Sequence, residues 1–218
     1  FIDFVIKSGV KLDHWCRDEL YDTYLLELLK IEPADGAIQR TIQTMMDKNI
    51  KEPSEAYLKS FEALLNSALD ENADKALMAR ALTLPGFQSI AAKQDVVDPD
   101  LINEAHSNLK KSIKSNLKFL LNKIYEQNTY DGEFDVSAEA MGRRALRNVA
   151  LDYLTTTNGT GCANLATEHY NAADNMTDRM AALNCLIENE NADRNSILDS
   201  FYKEFKDYKL VIDKWFGV

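Results

Sequence analysis

Three guanidinium groups, from Arg143, Arg144 and Arg147, crowd the segment MGRRALRN at 141–148. Such a cluster can hold carboxylate or phosphate through forked pairs of hydrogen bonds. It can also bridge carboxylates or helix-end carbonyls of neighbouring helices, a geometry lysine does not reproduce. On a helix, Glu139, Arg143 and Arg147 fall four residues apart, as do Arg144, Asn148 and Asp152, so each row carries a carboxylate. The spacing therefore predicts a structural cluster, Arg143, Arg144 and Arg147 with Glu139 and Asp152 as local partners, and leaves ligand recognition as the alternative.

The remaining reactive residues name no catalytic, metal-binding or cofactor-binding site. A hydrolytic zinc centre would show two histidines one helical turn apart with a carboxylate beside them. His14, His106 and His169 lie far apart, so each is read as a surface or structural residue and no metal is expected. There is no GxSxG elbow, and Cys16, Cys162 and Cys185 sit among apolar helical residues, where an inert buried thiol is expected. Their odd number and wide spacing favour a reduced, cytoplasmic setting. NGTG at 158–161 lacks the trailing Lys and Ser or Thr of a phosphate loop and reads as a helix end. Lys110, Lys114 and Lys118 form a stripe opposite the leucines of their helix. In a chain of net charge −10 that stripe is expected to be a solvated outer face. The same charge argues against nucleic acid and membrane as partners.

The arginines need a helix to position them, and the chain is rich in helix signals. Of its 218 residues 45% are hydrophobic, enough for a sizeable core, and only 4 are proline and 8 glycine. Apolar residues recur three and four apart almost throughout. Pro53 and Ser54 open a helix with Tyr57, Leu58, Phe61, Leu64, Leu65 and Leu69 on one side, and a shorter helix runs from Asn72 to Leu82. LTLPG at 82–86 stops it, and a turn or short helix follows. Asp98 caps a long helix to Gln127, with Pro99 in its first turn and a stripe of Leu109, Ile113, Leu117, Leu120 and Ile124. TYDGEFDVS at 129–137 is a loop, with Asp131-Gly132 as its turn and Ser137 as cap of the arginine helix, which ends at TTNGTG. Further helices span about 162–171, 176–189 behind an Asp174 or Asn175 cap, and 194–208. No apolar run reaches the ~20 residues of a membrane span. The expected class is all-α: an irregular α-solenoid, a superhelical array of antiparallel helix pairs of the HEAT or armadillo kind. Residues 1–218 read as one helical domain, with a sub-boundary near 31–37 at IEPADG.

Several segments, in order, resemble the bacterial aminopeptidase N family: ALTLPG at 81–86, DVVDPDLI at 95–102, GRRALRN at 142–148, ADNMTDRMAAL at 173–183 and YKLVIDKWF at 208–216. LDHWCRDEL at 12–20 looks like the start of the same region. The resemblance implies a fragment of the helical C-terminal domain of a gluzincin zinc aminopeptidase, which removes N-terminal residues from peptides. In that family the helices arch over the catalytic domain and enclose a chamber that admits peptides and excludes folded proteins. The zinc motif HExxH and the GxMEN motif are absent from residues 1–218, so no catalytic or metal residue carries over and zinc is implied for the parent alone. The implied partners are the parent's catalytic domain and its peptide substrates. The chain does not begin with Met, and the family pattern continues past DKWF, so a fragment open to self-association is expected. A stand-alone helical scaffold for protein partners is the alternative.

Overall fold

The structure, a computed structural model, describes residues 34–130, 132–157, 159–189 and 194–217. His14, Cys16, Asp131, Asn158 and the LDHWCRDEL motif lie outside the described residues. Every regular element among the described residues is a helix: α1 Ala34–Asp47, α2 Glu55–Ala68, α3 Lys75–Leu82, α4 Phe87–Ala91 and α5 Pro99–Gln127. These are followed by α6 Ala138–Thr155, α7 Thr160–Ala172, α8 Met176–Glu188, α9 Arg194–Phe205 and α10 Lys209–Trp215.

Local chemistry sets most of the starts. The side chains of Ser54, Asp74, Asp98, Ser137 and Asn175 accept from the backbone N–H three residues ahead, at 3.1, 3.0, 3.0, 3.2 and 2.9 Å respectively. Each cap satisfies a donor that the first helical turn leaves open and contributes about 1 kcal/mol. Three boundaries differ from the periodicity. α3 begins at Lys75 because Asp74 is the cap, whereas Asn72 bonds back to Asp70 in a turn. Thr160 and Gly161 of NGTG open α7 rather than closing α6. The 194–208 segment divides at Phe205, and a separate helix, α10, follows from Lys209. Of the 31–37 stretch, residues 34–37 form the first turn of α1.

α5 and α6 are the central pair. α1, α2 and α4 pack on α5, α3 packs on α6 and α2, and α7 and α8 cover another side of α6. Leu109, Ile113, Leu117 and Ile124 of α5 are buried as the stripe requires, but Leu121 rather than Leu120 completes it. The backbone leaves helical geometry at Leu117 (φ −122°, ψ 17°), a kink that lies just ahead of this change of register. Tyr153 of α6 is buried edge-on against Phe61 of α2, 5.7 Å between ring centres, and its hydroxyl donates to the Leu82 carbonyl at 2.7 Å. One aromatic side chain thus ties α2, α3 and α6. Gly142 lets α3 approach, since a Cβ there would lie 2.9 Å from the Ala76 nitrogen. A second, smaller core gathers Leu151, Ala166, Ala182, Cys185 and Leu186. Beyond it the packing thins: α9 buries Phe201 and α10 buries nothing.

Candidate functional site

The α5–α6 connection and the start of α6 place the three arginines where aromatic rings meet them. Arg143 lies over Tyr130, Arg144 over Phe134 and Arg147 over Tyr125, with the guanidinium carbon 4.9, 4.9 and 4.8 Å from the ring centres. Such contacts are worth ~0.5–1 kcal/mol each where water has access. Of the two expected carboxylate partners, Glu139 forms the i,i+4 pair with Arg143 and Asp152 pairs outside the cluster. Glu139 approaches Arg143 no closer than 3.9 Å, and its side chain is 81% exposed, so water screens the pair. Asp152 turns to Lys110 instead, at 2.6 Å, because α5 packs against that side of α6. Asn148 donates to Asp178 at 2.8 Å. The ring partners of the three arginines come from α5 and from the loop 129–137.

Behind Arg147 runs a half-buried chain of hydrogen bonds. Its terminal nitrogen donates to the Tyr125 hydroxyl at 3.3 Å, and that hydroxyl stands 2.9 Å from Nδ1 of His169 on α7. Which of the hydroxyl and Nδ1 donates in this second bond is set by the imidazole tautomer. The ring's Nε2 is buried without a partner, as is Nε of Arg147. Burial, seconded by the charge of Arg147, pushes the His169 pKa down to about 4, so the ring is neutral near pH 7. Burial also raises the Tyr125 phenol, against the pull of Arg147. His169 is the structural histidine expected of an isolated helical His. His106 is half-buried, and burial first and Lys110 second lower its pKa.

The rings, the arginines and the start of α8 enclose a groove of about 240 Å³. Tyr130, Phe134, Asp135, Ser137 and Glu139 contribute to it from one side and Asp174, Asn175 and Asp178 from the other. Asp178 is buried and held by Asn148, Asn175 and its own capped N–H, while Ser137 engages Asp135, whose pKa is lowered chiefly by that hydroxyl. Glu139 and Asp174 remain exposed at the rim.

Two other sequence readings change. The lysine stripe is not an outer face along its whole length: Lys110 is 12% exposed and paired, and Lys114 donates to Thr157 and, at 3.2 Å, to Cys162 Sγ. Lys118 alone of the three is exposed. Cys162 is accordingly not an inert buried thiol. Burial would raise it, but hydrogen bonds from Thr157 and Lys114 and the charges of Lys114 and Lys118 outweigh that and hold its pKa below the ordinary thiol value. Cys185 does match the reading, with burial pushing it up to about 12. Sequence reasoning missed Tyr125, Tyr130 and Phe134 as arginine partners. The visible signal was the density of aromatic residues in YEQNTYDGEF, immediately before the arginine helix.

The fold is an all-α helical array of the repeat kind. A family model described as a domain of unknown function, DUF3458_C, ARM repeats, matches residues 30–218. The chain belongs to this DUF3458_C ARM-repeat family, as a helical fragment similar to the C-terminal region of aminopeptidase N-like proteins. It is 33% identical to aminopeptidase N of Caulobacter vibrioides over 72% of its length, and 33% identical to aminopeptidase N of Escherichia coli over 72%. In each case it spans 18% of the relative, under a fifth of that chain. Its fold is similar to part of a crystal structure of Legionella pneumophila aminopeptidase A in complex with aspartic acid. The TM-score is 0.72 at 21% identity, over 84% of this chain and 22% of that one.

Proposed function

We propose that residues 1–218 form one helical, non-catalytic domain of a zinc-dependent aminopeptidase that removes N-terminal amino acids from peptides. The domain packs beside the catalytic part of the same parent chain and walls its substrate chamber, so that extended peptides enter and folded proteins do not. The 33% identity to aminopeptidase N across most of this chain is the observation that carries the reading. Among the described residues no three His, Cys, Asp or Glu side chains are grouped to hold a metal ion, and zinc is proposed for the parent chain. No described helix is long and apolar enough to cross a membrane, and the cytoplasmic setting suggested by the cysteines belongs to the same proposal.

Two assays test it. The isolated chain with added zinc should not turn over an amino-acid anilide. The full-length parent should cleave the anilide and short peptides while sparing a folded protein that presents the same N-terminal residue. Turnover by the isolated chain, or equal cleavage of folded and unfolded substrates by the parent, overturns the reading.

A further inference from the structure

Lys114 of α5 is placed unlike its neighbour in the lysine stripe. One turn earlier Lys110 takes the carboxylate of Asp152, whereas Lys114 has no carboxylate partner among the described residues, in a chain with 35 acidic side chains. Its ammonium donates instead to the Thr157 hydroxyl and, at 3.2 Å, to Sγ of Cys162. Thr157 Oγ1 and that sulfur stand 3.7 Å apart, so nitrogen, oxygen and sulfur close a triangle between α5 and the first turn of α7. Lysine and cysteine lie 48 residues apart in sequence, and helix packing brings them into contact.

Three properties suit this pair to oxidation. An ammonium in contact with a thiol favours the thiolate, which is the form that attacks peroxide. The pair is also open to small solutes: Cys162 is half-buried, its neighbours Thr160, Gly161 and Asn164 are exposed, and a Cβ at Gly161 would meet nothing within 4 Å. Finally, the group touching the sulfur is a primary amine, whose nitrogen can itself take up oxygen, as a carboxylate or a hydroxyl cannot. Cys185, buried with Leu151, Ala166 and Ala182 in the second core, has neither the access nor the amine.

We propose that Lys114 and Cys162 form a reversible redox crosslink, joined through one oxygen as nitrogen–oxygen–sulfur, with a peroxide as oxidant. The thiolate attacks one peroxide oxygen, the O–O bond breaks, and Cys162 becomes a sulfenic acid. The departing hydroxide takes a proton from the Lys114 ammonium and leaves as water. A second peroxide transfers an oxygen to the neutral amine, giving a hydroxylamine and a second water. The hydroxylamine oxygen then attacks the sulfenic sulfur, whose hydroxyl leaves with the remaining proton as a third water. Sulfur and nitrogen are each oxidised by two electrons, and both peroxides are reduced. The closed bridge staples the start of α7 to the middle of α5, beside the second core. It rests on this contact alone and is independent of the aminopeptidase reading.

The test treats the 218-residue chain with a small excess of hydrogen peroxide and reads it by mass spectrometry after digestion. The segments holding Lys114 and Cys162 should appear joined, heavier by one oxygen and lighter by two hydrogens than the two reduced peptides together, and dithiothreitol should separate them. Lys114→Arg keeps a positive charge beside the sulfur but has no amine to bridge. It should give a sulfenic acid at Cys162, trapped by dimedone, and no crosslink. In urea unfolding, peroxide should raise the midpoint of the wild type and dithiothreitol should restore it, while Cys162→Ser responds to neither. Cys162 carried to sulfinic or sulfonic acid with Lys114 unmodified overturns the proposal, as does a disulfide to another thiol or a Cys162 that survives the peroxide as free thiol. A crosslink that leaves the urea midpoint unchanged overturns its role as a staple between α5 and α7.

Discussion

The body around α5 and α6 and the pair α9–α10 are both helical, but different forces hold them. In the body, side chains from α1 to α6 close into one continuous apolar cluster, from Ile38 to Leu154. Apart from Phe201, buried from α9, the terminal pair is held by rim contacts. Tyr202 meets Trp215 at 5.4 Å between ring centres, the indole N–H of Trp215 donates to the Leu198 carbonyl at 3.1 Å, and Arg179 of α8 pairs with Glu204. Leu210 and Phe216 stay 81% and 74% exposed. Helical periodicity is therefore present in both regions, but buried area, and with it stability, is concentrated in one.

The largest effect should come from breaking the body. Phe61→Ala removes a ring buried between Tyr57 and Tyr153 and should cost about 3–5 kcal/mol in urea unfolding, whereas Trp215→Ala should cost about 1 kcal/mol or less. Equal losses would dissolve the distinction between the regions.

Acid should act where the body meets α7. The folded pKa of His169 is about 4, below the ordinary value of 6.5. Between these values the unfolded chain takes up a proton that the folded chain refuses, so stability falls as pH drops from about 6.5 towards 4. The contribution is up to ~3 kcal/mol, and denaturation midpoints across that range for the wild type and His169→Gln check it. A variant with the same pH slope as wild type would remove His169 from this role.

The smallest effect should be chemical and leave stability unchanged. Iodoacetamide at neutral pH should label Cys162, half-buried beside Lys114, well before Cys185, as read by mass spectrometry of the digested chain. Faster labelling of Cys185 would mean that the second core opens more readily than its packing implies.

Much of the fold was legible because its causes are local. The Ser54, Asp98 and Ser137 caps act over three residues, and the α2 stripe obeys the helical repeat, so their positions could be read in one dimension. The division at Phe205 was not legible, since α10 is short and buries nothing that would mark it. The candidate site was legible in part. The types and spacing of Arg143, Arg144 and Arg147 announced a cluster, and i,i+4 spacing offered Glu139 and Asp152 as partners. Exposure removed most of the value of the first pair, and the packing of α5 gave Asp152 to Lys110.

By itself, then, the sequence determined an acidic, helical chain, the starts of its main helices and its likeness to aminopeptidase N. Those properties are summed from contacts a few residues apart and from linear order. Only the tertiary structure decided what the arginines touch. Tyr125, Tyr130 and Phe134 reach them from another helix and a loop, and His169 completes the half-buried chain from a third helix. Which side chains become neighbours across such distances depends on how the helices pack, and that packing minimises exposed apolar area over the whole body rather than along any one segment.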